Sequence, residues 1–139
     1  ILQQEFEKVS DRYVLMRDDG SVGEKGLVTN ALESLIQSGE QYDLVIAIGP
    51  LVMMKFVCKT TEKYGIHTIV SMNPIMIDGT GMCGGCRLLV GGETKFACVD
   101  GPEFDGHLVD FDAAMERAAL YKDFEREADC NLLRQEVQD

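Results

Sequence analysis

The chain has 139 residues, about one domain, and its 45% hydrophobic and 27% charged residues are typical of a folded globular protein. Thirteen basic residues against 24 acidic ones give a formal net charge of −11, which repels phosphate and argues against nucleic acid as a partner. The longest apolar stretch, residues 43–54, is interrupted by Gly-Pro and is too short to cross a bilayer, so we expect no membrane partner.

The N-terminus and the cysteine content indicate a compartment. The opening residues, ILQQEFEKVS, contain no basic region followed by an apolar core, as a secretory signal would. We therefore expect a cytoplasmic protein, in which the five cysteines are metal ligands or buried thiols and not disulfides. The chain lacks an initiator Met and begins in a helical pattern, so we expect it to be a piece of a longer protein.

Helices and strands alternate in the first half. In chain order, the pattern predicts an N-terminal helix, a strand at 12–17, a loop at 18–26, a helix at 27–39, a strand at 42–49, a helix at 50–65 and a strand at 66–72. The run at 42–49 is continuously apolar, as expected of a strand buried on both faces of a parallel sheet. This order predicts an open parallel sheet, the second half of a doubly wound nucleotide-binding fold.

The pattern changes after residue 72. Residues 87–98 predict two short strands around Gly91-Gly92, a hairpin signal, and residues 110–139 predict a helix whose apolar face fades into charge. The predicted fold class is therefore α/β with three parts. These are a partial nucleotide-binding domain at 1–72, a small cysteine-rich hairpin lobe at 73–110 and a C-terminal helical tail at 111–139.

A glycine-rich loop, DGTGMCGGCR at residues 78–87, carries two of three clustered cysteines. Cys83, Cys86 and Cys98 are spaced C-x2-C-x11-C. Plant-type [2Fe-2S] proteins use C-x4-C-x2-C with a distant fourth cysteine, and Asp78 occupies the first place of that pattern. Glycines let backbone N–H groups approach the sulfurs closely. The motif thus predicts a [2Fe-2S] cluster held by Asp78 and the three cysteines.

Two other interpretations of the cysteines remain open. Cys83, Cys86 and Cys98 with His107 would make a Cys3His set for structural zinc, and the protein would then be a zinc-stapled interaction module. Alternatively, the thiols are merely buried in a tight turn. The zinc set leaves Asp78 and the glycines unexplained, and buried thiols alone would leave the lobe without the cross-link or metal that such small folds usually need.

Several other residues are expected to be structural. Cys58 is predicted to be a buried thiol on a helix and Cys130 to lie in the polar tail. We expect Lys55, Lys59 and Lys63 to form an exposed stripe and His67 to be structural. Asp100 and Asp105 are expected to cap turns, and Phe104 to brace the cysteine loop.

Residues 76–112, MIDGTGMCGGCRLLVGGETKFACVDGPEFDGHLVDFD, resemble the C-terminal part of ferredoxin-NADP reductase-like electron-transfer subunits. That family includes the small subunit of NADH-dependent ferredoxin:NADP oxidoreductase, sulfide dehydrogenase subunits, flavin subunits of cytosolic hydrogenases and the dihydroorotate dehydrogenase electron-transfer subunit. The resemblance extends over residues 1–121 and implies that Cys83, Cys86 and Cys98 bind a [2Fe-2S] cluster. Dihydroorotate-type members have cysteine where this chain has Asp78, whereas the branch it most resembles has aspartate.

The same resemblance implies a site for NAD(P). In the family, the strand-to-helix stretch that matches AIGPLVMM contacts the nucleotide, which implicates Gly49, Pro50 and Met53, although Ile48 replaces the usual cysteine. The loop at 18–26 is similar to one near the adenosine end, and its candidate residues are Asp19, Gly20, Ser21 and Gly23.

The implied function is electron transfer. NAD(P)H would reduce FAD, bound mainly by an N-terminal barrel without counterpart here, and electrons would pass through the cluster to a larger catalytic subunit. No side chain of this chain is expected to act as a catalytic acid, base or nucleophile.

Overall fold

The computed structural model describes residues 2–17, 19–120, 122 and 124–128. Contacts divide the chain into two compact units, residues 1–43 and residues 44–139. Within the described part of the chain, no helix is long and apolar enough to cross a membrane. The predicted division at residues 72 and 110 stays a prediction, as does any role of Cys130, which lies outside the described residues.

The first unit contains two helices and a two-stranded sheet. Its elements are α1 (Gln3–Val9), β1 (Met16–Arg17), β2 (Glu24–Lys25) and α2 (Val28–Gln37). The predicted strand at 12–17 is reduced to two residues, which pair in parallel with β2 from inside the predicted loop. The hydrogen bonds of this pairing join the strand to the loop that follows it. Glu24 N–H donates to Leu15 O at 2.8 Å, and Gly26 N–H donates to Arg17 O at 3.0 Å. Helix α2 ends where expected, before Gly39.

Gly23 is the position in this loop that only glycine fits. Its φ is +76°, and an added Cβ would lie 2.2 Å from the Leu15 carbonyl oxygen. We expect Gly23→Ala to lower the free energy of unfolding by about 3 kcal/mol, from backbone strain and the clash with main chain. The matched control is Gly39→Ala, at φ +94° but with nothing within 4 Å, which should cost only about 1 kcal/mol. Urea unfolding followed by circular dichroism measures both; equal losses would contradict the prediction.

The second unit is built on a three-stranded sheet with the order β3-β4-β7. Its elements are β3 (Leu44–Ile48), α3 (Leu51–Tyr64), β4 (His67–Ser71), β5 (Arg87–Val90), β6 (Glu93–Phe96), α4 (Ala97–Asp100), β7 (Glu103–Asp105) and α5 (Phe111–Ala119). Strands β3 and β4 are parallel, with Ile46 opposite Ile69. Strand β7 was not predicted and runs antiparallel to β4, with Phe104 opposite Val70.

Helix α3 connects β3 to β4 and begins and ends at the predicted proline and glycine. Pro50 is its N-cap, and Gly65 ends it at φ +67°. Its inner face is buried and includes Met54, which has no exposed surface. Thr61 on that face accepts a hydrogen bond at 2.6 Å from the buried Thr68 hydroxyl of β4, so these two polar groups are paired. This helix–sheet layer is the core of the unit.

Strand β3 differs from the prediction of a strand buried on both faces. It is an edge of the described sheet, and only alternate residues face the core. Ala47 is 5% exposed, whereas Ile46 and Ile48 are 60% and 71% exposed. The apolar run therefore reflects one face packed under α3 and one apolar face open to solvent.

The cysteine-rich segment leaves the sheet after β4 and returns at β7. Strands β5 and β6 form the predicted antiparallel hairpin, with Val90 opposite Glu93 across Gly91-Gly92. The predicted second strand is shorter than expected, because residues 97–100 turn into the short helix α4. The Met72 N–H donates to the Pro102 carbonyl at 2.9 Å, so the two ends of the segment meet.

Helix α5 closes the second unit. Asp110 is its N-cap, and its Oδ1 accepts the Ala113 N–H at 3.0 Å. The start of the helix is held against β5, because Asp110 N–H donates to Leu89 O at 2.9 Å. Residues 122 and 124–128 are also helical, in agreement with the predicted tail. The rest of the predicted helix lies outside the described residues.

Candidate metal centre

The loop before the hairpin is organised by Asp78. Its Oδ1 accepts the Thr80 N–H at 2.8 Å, and its Oδ2 accepts the Cys83 N–H at 2.9 Å. These two bonds, that from Thr80 first, hold the pKa of the Asp78 carboxyl below its usual value. The carboxylate thus stays ionised and fixes the backbone that carries Cys83.

Cys86 and Cys98 form a close pair of thiols. Their Sγ atoms are 3.2 Å apart, and both cysteines are free of disulfides. Cys86 precedes β5 and is 2% exposed, while Cys98 lies on α4. The two segments are joined by the bond from Ala97 N–H to Cys86 O, at 3.2 Å. Two thiolates on one tetrahedral metal, with bonds of about 2.3 Å, would lie about 3.8 Å apart, so this pair needs little adjustment.

One thiol of this pair is favoured as the anion. Burial opposes ionisation of Cys86, but hydrogen bonds from the Cys98 backbone and thiol outweigh it and lower the pKa of Cys86. The bond to Cys86, followed by burial, raises the pKa of Cys98. Cys86 is therefore the more readily ionised thiol of the pair, and binding of a metal cation would release protons from both.

Asp100 supports the position of Cys98. Its Oδ2 accepts the Phe96 N–H at 2.7 Å, at the point where β6 turns into α4. Asp105 likewise accepts the His107 N–H, at 3.0 Å. The prediction that these two aspartates cap turns is confirmed. Helix α4 was not foreseen, because four residues are too few to give a helical period.

Cys83 is exposed and receives a backbone donor. The Gly85 N–H lies 3.4 Å from its Sγ. The loop is closely packed on either side: a Cβ at Gly85 would meet Ile77 at 3.3 Å, and one at Gly81 would meet Val99 at 2.7 Å. Gly81 has φ +83°. The predicted approach of backbone N–H to sulfur is therefore observed at Gly85.

His107 lies at a different place from the thiol pair. Its Nε2 is 3.1 Å from the Ile66 carbonyl oxygen, next to the main sheet. Across residues 2–17, 19–120, 122 and 124–128, no group of three or more His, Cys, Asp or Glu side chains is arranged to hold a single metal ion. The Cys3His zinc alternative is not favoured.

A two-iron cluster makes a different demand on the chain. Its four ligands act as two pairs, one on each iron, so they need not converge on a single point. The structure brings the Cys86 and Cys98 thiols together, and it bonds the Asp78 carboxylate to the Cys83 N–H. The donor chemistry of three free thiols with a fixed carboxylate fits a [2Fe-2S] cluster.

The residues predicted to contact NAD(P) fall into two groups. Gly49, Pro50 and Met53 lie at the carboxyl end of β3, where a Cβ at Gly49 would meet Met53 Cε at 2.8 Å. In the first unit, Ser21 N–H donates to Asp19 Oδ1 at 2.9 Å across Gly20, and Gly23 follows two residues later. That hydrogen bond holds the pKa of Asp19 below its usual value. All seven residues remain candidates.

The remaining predictions have mixed outcomes. The prediction of an exposed stripe is wrong for Lys55, because its side chain is 21% exposed and its ammonium pairs with Asp112. Lys59 lies 5.6 Å from the Phe56 ring centroid. His67 begins β4, with Nδ1 3.8 Å from Asp105, which suits a structural histidine. Whether Phe104 braces the cysteine loop stays a prediction.

Cys58 is confirmed as a buried thiol, 5% exposed on α3. Burial, followed by the charge of Asp105, raises its pKa to about 11. We expect iodoacetamide at pH 8 to label exposed Cys83 readily in the metal-free chain and Cys58 only after urea unfolding, as read by mass spectrometry.

The same shift predicts a pH dependence. In the unfolded chain a thiol ionises near about pH 8.5, whereas native Cys58 stays protonated up to its raised pKa. The stabilisation is therefore complete below pH 8.5 and is lost as the pH rises toward 11. Urea unfolding of Cys58→Ala should show less loss over this range, and an identical slope would contradict the assignment.

The segment that carries this site matches a known family. Residues 73–110 match the family of the iron-sulfur cluster binding domain of dihydroorotate dehydrogenase B. This match covers Asp78 and all three clustered cysteines.

Individual relatives extend the likeness over most of the chain. A dihydroorotate dehydrogenase B (NAD(+)) electron transfer subunit homolog of Thermotoga maritima is 48% identical over 126 residues, covering 91% of this chain and 44% of that protein. An uncharacterized protein of Clostridium beijerinckii is 52% identical over 129 residues, covering 92% of this chain and 44% of its own length. This chain therefore spans less than half of each relative.

A solved structure agrees. A chain from the structure of an NADH-dependent reduced ferredoxin-NADP oxidoreductase, described for flavin-based electron bifurcation, aligns with TM-score 0.83 and 45% identity. The alignment covers 96% of this chain and 48% of that chain. The predicted resemblance to ferredoxin-NADP reductase-like electron-transfer subunits is confirmed, as is a mixed α/β fold.

Proposed function

We propose that this chain is part of the electron-transfer subunit of an NAD(P)H-linked iron-sulfur flavoprotein oxidoreductase. The observation that carries the proposal is the close Cys86–Cys98 thiol pair within a segment that matches an iron-sulfur binding domain. When bound, the cluster would pass single electrons between FAD and a larger catalytic subunit. Free cysteines in the described residues support a reducing, cytoplasmic location.

The proposed ligands are Asp78, Cys83, Cys86 and Cys98. We assign Cys86 and Cys98 to one iron because their sulfurs already lie 3.2 Å apart. Cys83 and Asp78 would serve the other iron, since Asp78 is bonded to the Cys83 N–H. The Gly85 N–H that approaches Cys83 Sγ would remain as a hydrogen bond to the bound thiolate. Such bonds stabilise the negative charge of the cluster sulfurs.

The finer organisation is part of the proposal. Residues 1–72 would be the second half of a doubly wound NAD(P)-binding domain, 73–110 the cluster lobe and 111–139 a helical tail. Gly49 and Pro50 support this, because the carboxyl end of a parallel strand next to a helix N-terminus is where such sheets bind anionic ligands. FAD would be bound mainly by a part of the protein outside this chain.

Anaerobic reconstitution tests the proposal. The chain, incubated with iron and sulfide and then desalted, should hold about two irons and two sulfides and show visible absorption. Dithionite reduction should bleach it and produce an electron paramagnetic resonance (EPR) signal. A colourless chain that binds stoichiometric zinc instead would overturn the proposal and favour the zinc module.

A further inference from the structure

Helix α5 places a cation on the backbone of the cysteine loop. Arg117 Nη2 donates to the Gly85 carbonyl oxygen at 3.3 Å, in a half-buried position. Gly85 lies between Cys83 and Cys86, and its own N–H is the group that approaches Cys83 Sγ. Gly85 therefore directs its N–H toward Cys83 Sγ and its carbonyl oxygen toward the Arg117 guanidinium.

This contact is built into the fold of the second unit. The start of α5 is fixed to the end of β5 by the Asp110–Leu89 bond and by the bridge between Val90 and Val109. From Asp110 to Arg117 the helix rises about 10 Å. From Leu89 back to Arg87 the strand covers about 7 Å, and the turn at Gly85 and Cys86 continues from it. The two run alongside each other, so the guanidinium reaches the loop from a rigid helix.

The charge of Arg117 is available to the loop. None of the ion pairs between described residues includes Arg117. Its hydrogen bond polarises the Gly85–Cys86 peptide and makes the Cys86 N–H a stronger donor. A guanidinium is ionised at every working pH, so this effect is constant.

We propose that Arg117 is a positioning residue that fixes the Gly85–Cys86 peptide at the cysteine loop and raises the reduction potential of the cluster. The inference rests on the proposed function, because it needs the cluster to be present. Reduction adds one negative charge, and a nearby cation and stronger N–H donors stabilise the reduced form more than the oxidised form. Without Arg117, the cluster should be harder to reduce.

The test compares three variants of the reconstituted chain by EPR-monitored redox titration. In Arg117→Gln we expect the reduced-to-oxidised ratio at a fixed potential to fall about tenfold, a lowering of about 59 mV for a one-electron couple. Arg117→Lys keeps the charge and should stay within about threefold of the wild type. Lys122→Gln removes an equal charge from an exposed position farther along the chain and should leave the potential unchanged.

A second measurement needs no cluster. In the metal-free chain, hydrogen exchange of the peptide around residues 83–90 should be faster in Arg117→Gln than in Lys122→Gln, because the loop loses its contact to α5. Circular dichroism establishes that each variant is folded. If Arg117→Gln does not fold, Arg117→Met, which keeps the alkyl stem and removes the charge, takes its place: a reduced-to-oxidised ratio about tenfold below the wild type supports the proposal, and a wild-type ratio contradicts it.

The outcomes separate this inference from the proposed function. A wild-type potential and wild-type exchange in folded Arg117→Gln would overturn the role of Arg117 and leave the cluster in place. A wild-type chain that takes up no iron and sulfide would overturn the proposed function, whatever the exchange data show.

Discussion

Replacing Cys86 with alanine will abolish cluster assembly, reducing iron from about two per chain to nearly none after anaerobic reconstitution. Cys86 is the most buried of the clustered thiols, at 2% exposed, and its sulfur lies 3.2 Å from that of Cys98. Alanine offers no ligand atom at this buried position. Iron and acid-labile sulfide analysis, with the visible spectrum, measures the loss.

Cys58→Ala is the matched control for this experiment. It also removes a buried thiol, at 5% exposed, but from α3. Its iron content should equal that of the wild type. Full iron and sulfide in Cys86→Ala would contradict the ligand assignment, and loss of iron in both variants would show that the effect comes from folding.

Replacing Asp78 with alanine should have the next largest effect. The variant loses the acceptor of two loop N–H groups, those of Thr80 and Cys83, and the proposed oxygen ligand as well. We expect the cluster to be lost from the chain at least about tenfold faster in the presence of a chelator, since removing even a supporting partner of a metal ligand commonly costs that much. The decay of visible absorption gives the rate.

Two further variants define what Asp78 contributes. Asp78→Cys offers a fourth thiolate and should assemble a cluster with an altered EPR signal, whereas the loop loses its two accepted bonds. His107→Ala should leave the cluster unchanged, because His107 is bonded at the Ile66 carbonyl. The opposite pattern, with metal lost in His107→Ala and kept in Asp78→Ala, would restore the zinc interpretation.

The elements that could be predicted from sequence are those with local signals. Helix α3 has Pro50 and Gly65 at its ends, and the β5–β6 hairpin has its Gly-Gly turn, so both are close to their predicted bounds. The cysteine motif was visible because ligand spacing is itself local. These features depend on neighbours within a few residues, which a single sequence displays.

Other features depend on contacts that are distant in sequence. Strand β7 has three residues and exists through its pairing with β4. The Arg117–Gly85 bond joins residues 32 positions apart, and nothing in the helical pattern of α5 distinguishes Arg117 from an exposed arginine. The apolar run of β3 predicted burial on both faces, but hydrophobicity alone does not show how many layers cover a strand.

The bond between Met72 and Pro102 has a consequence for how such proteins can diversify. It brings the entry and exit of the cysteine-rich segment to neighbouring strands, β4 and β7, of one sheet. A segment whose ends meet can be gained, lost or exchanged between host proteins while the host sheet keeps its register. The segment could then be transferred between proteins as a single unit, while the sheet that carries it evolves independently.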